Sequence, residues 1–97
     1  MTYRFHPGAE AEHLETIVFY ESRQKGLGAA YLAAFENMML HVIDSPHWYR
    51  IERKPNIRGV SLINFPYKII FRGEGGDIQI LAISHKKRRP DYWLSRL

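Results

Sequence analysis

Near its C-terminus the chain brings together an imidazole, four consecutive cations and two aromatic rings, in His85-Lys86-Lys87-Arg88-Arg89-Pro90-Asp91-Tyr92-Trp93. Side chains of these types attract phosphate and stack on bases. They can also cleave a phosphodiester without metal. One group takes the 2′-hydroxyl proton, a second protonates the leaving oxygen, and cations hold the charge that develops between them. His85, Tyr92, Lys68, Arg58, Arg72, Arg88 and Arg89 are all of suitable type. Against this stands a plainer reading, a solvated basic turn after the last strand.

The distribution of charge favours an anionic partner. Residues 1–45 hold three Lys/Arg against six Asp/Glu, whereas residues 46–97 hold eleven against four. Half-to-half asymmetry of this kind points to nucleic acid or an acidic protein segment. Other chemistries find little support. The five histidines, His6, His13, His41, His47 and His85, are scattered without ligand spacing, so no metal site is expected. Gly73, Gly75 and Gly76 fall in a hairpin and not between a strand and a helix, so they do not form a phosphate loop, and no cofactor is implied.

Elements that would position these residues follow from periodicity. Tyr3-Arg4-Phe5-His6 alternates and stops at Pro7-Gly8, a short first strand. Ala9 to about Arg23 carries an apolar stripe at Ala11, Leu14, Ile17 and Val18, with Glu10, Glu12, Glu15 and Glu21 largely off it. Gly26-Leu27-Gly28 reads as the break before a second helix, Ala29 to about Ile43, which Asp44-Ser45-Pro46 stops. So short a link predicts an antiparallel helix hairpin. His47 to Asn56 shows no period and reads as an ordered loop with a strand-like stretch. Three β segments follow, Ile57–Ile63, Tyr67–Arg72 and Ile78–Ser84, and Tyr92 to Leu97 forms a last helical turn or frays.

The fold class is therefore α+β, β-α-α-β-β-β, with the hairpin packed on one face of a small, mainly antiparallel sheet of three or four strands. Length supports one domain, residues 1–97. Leu14, Ile17, Val18, Tyr31, Phe35, Met38, Ile69, Phe71, Ile80 and Ala82 are expected in its core. Strand parity puts Arg58 with Val60 and Leu62, and Lys68 and Arg72 with Ile70; the two sets are expected to line one sheet face near its basic end. The chain has no cysteine, its first residues are too polar for a signal peptide, and no apolar run reaches a membrane span, which together predict a cytoplasmic protein without membrane contact.

Arg58, Phe65-Pro66-Tyr67-Lys68-Ile69-Ile70-Phe71-Arg72, Ile80-Leu81-Ala82-Ile83-Ser84-His85 and Arg88-Arg89-Pro90-Asp91-Tyr92-Trp93 together resemble the RelE/ParE superfamily. These are toxins of bacterial type II toxin–antitoxin modules, sometimes called plasmid stabilisation proteins. The resemblance implies a helix hairpin on an antiparallel sheet and a cognate antitoxin, with a toxin–antitoxin hetero-oligomer. Some members cut mRNA on the ribosome and others poison DNA gyrase. The nuclease branch carries basic residues on the strand before the central turn, where this chain has Gly59 and Ser61. If the chain were a nuclease, Arg58, Lys68, His85, Arg88 and Tyr92 would be its catalytic set. The missing basic pair favours the ParE-like branch, with Arg72, Lys86, Lys87, Arg88, Arg89 and Trp93 meeting the target. A non-toxic remnant that only binds antitoxin is the third reading.

Overall fold

The computed structural model describes residues 2–97. Strand β1 (Tyr3–Phe5) leads into helix α1 (Pro7–Arg23) and helix α2 (Leu27–Asp44). A 3-10 turn (Pro46–Trp48) precedes β2 (Ile51–Arg53), β3 (Ile57–Ser61), β4 (Tyr67–Glu74) and β5 (Asp77–His85), and a second 3-10 turn (Tyr92–Arg96) ends the chain. The strands form one five-stranded sheet in the order β1-β5-β4-β3-β2, antiparallel except for the β1–β5 pair. The sheet thus has one strand more than the largest count expected. The extra strand is β2, whose three residues are too few for alternation to reveal. No helix among the described residues is long and apolar enough to cross a membrane.

Local chemistry explains the helix ends. His6 caps α1, its Nδ1 accepting the Gly8 N–H at 3.0 Å, with Pro7 in the first turn where a missing N–H costs nothing. Gly26 takes the left-handed conformation (φ 89°) that the link demands. The Glu21 carboxylate accepts the N–H groups of Gly26 and Gly28 and so satisfies the start of α2. Gly28 lies inside α2 and not in the break. A Cβ there would stand 2.7 Å from the Ile17 carbonyl oxygen, so its bare backbone is what lets the two helices approach.

Between the helices and the sheet lies the main core, built on Tyr31, Phe35, Met39, Val42, Ile69, Phe71, Ile78 and Ile80. Met38 and Ile17 pack at its margin. Leu14 and Val18 do not: they are 56% and 68% exposed. The buried face of α1 runs instead through Ala9, His13 and Thr16. His13 is buried because its needs are met internally. Its Nδ1 lies 3.0 Å from the Tyr31 hydroxyl, and its ring packs 4.4 Å from Phe35 and 5.0 Å from Phe5. Thr16 likewise donates to the Glu12 carbonyl at 2.7 Å. Polar groups satisfied in this way can occupy the face that apolar periodicity assigned to Leu14 and Val18.

The opposite sheet face holds a second, smaller core of Ile57, Ile70, Leu81, Ala82 and Trp93. An irregularity in β5 builds it: Ile70 pairs with Ala82 and Phe71 with Ile80, leaving Leu81 as an extra residue. Ile80 therefore faces the helices, whereas Leu81 and Ala82 both face the C-terminal turn.

Candidate functional site

Register decides which basic residues meet. Arg58 pairs across with Phe71, and Ser61 with Lys68. Arg58 thus shares the helix side with Phe71, Val60 and Leu62, as parity within β3 predicted, whereas Lys68 and Arg72 share the opposite side with Ile70. The expectation that both sets line one face is corrected accordingly. Alternation fixes the phase within a strand and says nothing of the phase between strands. Arg58 spends its guanidinium on the backbone, donating to the carbonyls of Tyr49 (2.7 Å) and His47 (3.3 Å), and so fastens the connection into β2.

Arg72 is also remote from the basic run. It lies four residues along β4 from Lys68, about 13 Å at strand spacing, and bonds Gln79 (3.0 Å) and Glu74 (3.4 Å) near the β4–β5 turn. Lys68 is at the right end of the sheet, but its ammonium is paired with Glu52 at 3.1 Å. Gly59 makes that pair possible. A Cβ there would meet Glu52 Cγ at 2.8 Å and Lys68 Cδ at 3.0 Å, so the two stems cross above a bare backbone. Where a nuclease would carry a cation on β3, this chain has a gap filled by a neutralised pair.

Arg88 and Tyr92 do converge, around a residue that the sequence did not single out, and His85 lines the same hollow without bonding to it. The Glu12 carboxylate, 12% exposed, accepts five hydrogen bonds. The donors are the Ile83 N–H (3.0 Å), the Tyr92 hydroxyl (2.8 Å), Arg88 (3.2 Å) and Arg96 through two nitrogens (3.0 and 2.9 Å). The Arg88 guanidinium also stacks 3.7 Å above the Tyr92 ring. Burial, reinforced by the bond to Glu12, pushes the Tyr92 hydroxyl up to about 12. At neutral pH that hydroxyl is protonated and its proton is already donated to Glu12, which suits neither a general base nor a free acid. The same carboxylate, by its hydrogen bonds to Arg96, raises that guanidinium further.

His85 is half-buried, with the Tyr67 ring edge-on at 5.1 Å and its Nδ1 accepting the Lys87 N–H at 3.0 Å. That bond fixes the tautomer and leaves Nε2 as the free ring nitrogen. Lys86, Lys87 and Arg89 are exposed and carry no ion pair among the described residues. Trp93 is placed differently from the expected contact residue: only 3% exposed, it fills the second core. Asp91, next in the tail, pairs with Arg53 at 2.7 Å. Among the described residues no cluster of His, Asp and Glu could hold a metal ion.

Glu12 is one of four glutamates on an acidic helix, and nothing in the spacing distinguishes it. A signal did exist on the other side. Arg88, Tyr92 and Arg96, three side chains able to donate to a carboxylate, recur every four residues.

Two helices packed on a five-stranded mixed sheet, with a basic segment after the last strand, define the α+β fold of RelE/ParE type. No family model matches the chain, and no curated protein matches it. Among solved structures, a chain of the "Chromosomal ParDE TA system from P. aeruginosa" superposes with a TM-score of 0.74. The two are 18% identical, and the match covers 88% of this chain and 95% of that one. The likeness lies in the fold, not in the side chains.

Proposed function

We propose that this protein is the toxin of a type II toxin–antitoxin module, one ParE-like domain over residues 1–97 that acts in the cytoplasm by binding DNA gyrase. A cognate antitoxin holds it inactive in a hetero-oligomer. The ParDE origin of the structural neighbour supports the toxin reading. One observation carries the choice of a protein target over mRNA cleavage: of the five groups a metal-free nuclease would use, all but His85 are committed inside the molecule. Tyr92 and Arg88 are held by Glu12, Lys68 by Glu52, and Arg58 lies on the other face of the sheet. The cations left free, Lys86, Lys87 and Arg89, suit electrostatic attraction to an acidic protein surface.

The antitoxin must match both halves of the molecule. An acidic, partly apolar segment would screen Arg88 and Arg89 and cover the apolar side chains that α1 and α2 leave in solvent, Leu14, Val18, Phe19 and Leu40. The deciding experiment gives the purified toxin to gyrase and, separately, to translating ribosomes. Inhibited supercoiling with intact mRNA is the expected result. Cleaved mRNA with unaffected gyrase would overturn the proposal.

A further inference from the structure

The Glu12 carboxylate touches the chain on both sides of the basic run. Before it, Oε1 accepts the Ile83 N–H, two residues ahead of His85. Within it the carboxylate holds Arg88, and after it Tyr92 and Arg96. We propose that Glu12 is a positioning residue: it clamps the C-terminal segment against α1 and so holds residues 85–89 in the shape that meets the target. The second half of this statement rests on the function proposed above, and the first does not.

Backbone bonds hold the C-terminal segment only locally: the Lys86 N–H donates to the Pro66 carbonyl (2.9 Å), the Arg88 N–H to that of His85 (3.0 Å) and the Leu94 N–H to that of Asp91 (3.0 Å), and none of them ties the segment to α1. A five-residue 3-10 turn is too short to be stable alone. Lys86, Lys87, Arg88, Arg89 and Arg96 repel one another, and the one acid within the segment, Asp91, is used by Arg53. Trp93 anchors one side of the turn in the second core. On the other side Arg96, its side chain 16% exposed, is fixed by two bonds to Glu12 and one to the Leu81 carbonyl at 2.9 Å. Arg96 also lies directly over Gly8 in the first turn of α1: a Cβ there would be 2.8 Å from its Nε and Cζ. The bare backbone of Gly8 is therefore part of the clamp. A preformed basic surface binds better than one whose long side chains must be ordered on contact.

Glu12→Gln removes the charge and keeps an acceptor. Gly8→Ala presses on the Arg96 guanidinium, whose Nε and Cζ would stand 2.8 Å from the new Cβ, without altering any charge. Amide hydrogen exchange at Ile83 and residues 92–97 reads the clamp; inhibition of gyrase supercoiling reads the positioning. Both variants are expected to raise exchange in the tail and to weaken inhibition by about tenfold, the cost of ordering a loosened segment. Combining Glu12→Gln with Arg96→Gln should cost no more than either alone, because both break one clamp. Unchanged exchange, or full additivity, overturns the clamp. Faster exchange with undiminished inhibition overturns the positioning role. If Glu12→Gln does not fold, Gly8→Ala decides by the same criteria. A wild-type protein inert toward gyrase would refute the target assignment and with it the positioning role, while exchange would still decide the clamp.

Discussion

Replacing Gly28 by alanine sets two effects of opposite sign against each other. In isolation the change favours α2 by about 1 kcal/mol, the usual helix-propensity gain over glycine. In the folded protein the new methyl would stand 2.7 Å from the Ile17 carbonyl oxygen and 3.1 Å from Glu21 Cβ, where ordinary contact begins at 3.4 Å. The nearer obstacle is backbone, which cannot rotate away. α1 must retreat, loosening the packing of His13 and Tyr20 on Tyr31 and pulling Glu21 from the amides it caps. Overpacking of this kind costs about 1–3 kcal/mol, and each lost bond to a carboxylate adds to it. The net expectation is a loss of about 2 kcal/mol, or roughly 8–16 °C in melting temperature for a domain of this size. Urea denaturation followed by circular dichroism measures it. Gly73→Ala is the control, since a Cβ at that position would have nothing within 4 Å. A Gly28→Ala midpoint equal to or above wild type would refute the close-approach argument.

Trp93→Ala should cost about 3–5 kcal/mol in the same assay, because it empties the centre of the second core. His13 makes stability depend on pH: burial lowers it from its usual 6.5, so below about pH 6.5 the unfolded chain binds a proton that the folded one refuses. Stability should fall as pH drops through that window and stay flat above it, and His13→Gln should abolish this contribution in pH-dependent melts. Reversing the charge at Arg88 and Arg89 together should weaken gyrase inhibition, whereas replacing His85 should leave it nearly intact. Full toxicity of the Arg88/Arg89 reversal in a growth assay would sink the protein-binding reading.

Long periodic segments were legible in the sequence, and so were many buried residues, five in the main core and Ala82 in the second. Tyr31, Phe35, Ile69, Phe71, Ile80 and Ala82 are buried as expected. What escaped depended on contacts between elements. The inner face of α1 was hidden because His13 and Thr16 are satisfied by Tyr31 and by their own helix, which composition does not register. The separation of Arg58 from Lys68 depends on the β3–β4 register, which no single strand encodes. The commitment of Tyr92 and Arg88 depends on Glu12, 76 and more residues away along the chain. Gly59 reads in the sequence as a missing cation, and its role as the floor beneath Glu52 and Lys68 depends on β2 lying beside it.

Strand β5 lies between β1 and β4, and Arg96 reaches back 84 residues to Glu12. This arrangement imposes an order on biosynthesis. The helix hairpin can form as soon as it is made, but β1 has no neighbour to pair with until β5 has been translated. The Glu12 carboxylate has no Arg96 to hold until later still. Closing contacts so distant in sequence makes the last folding steps slow relative to the local ones. A nascent chain therefore exposes α1 and α2 before the basic segment has taken its final shape.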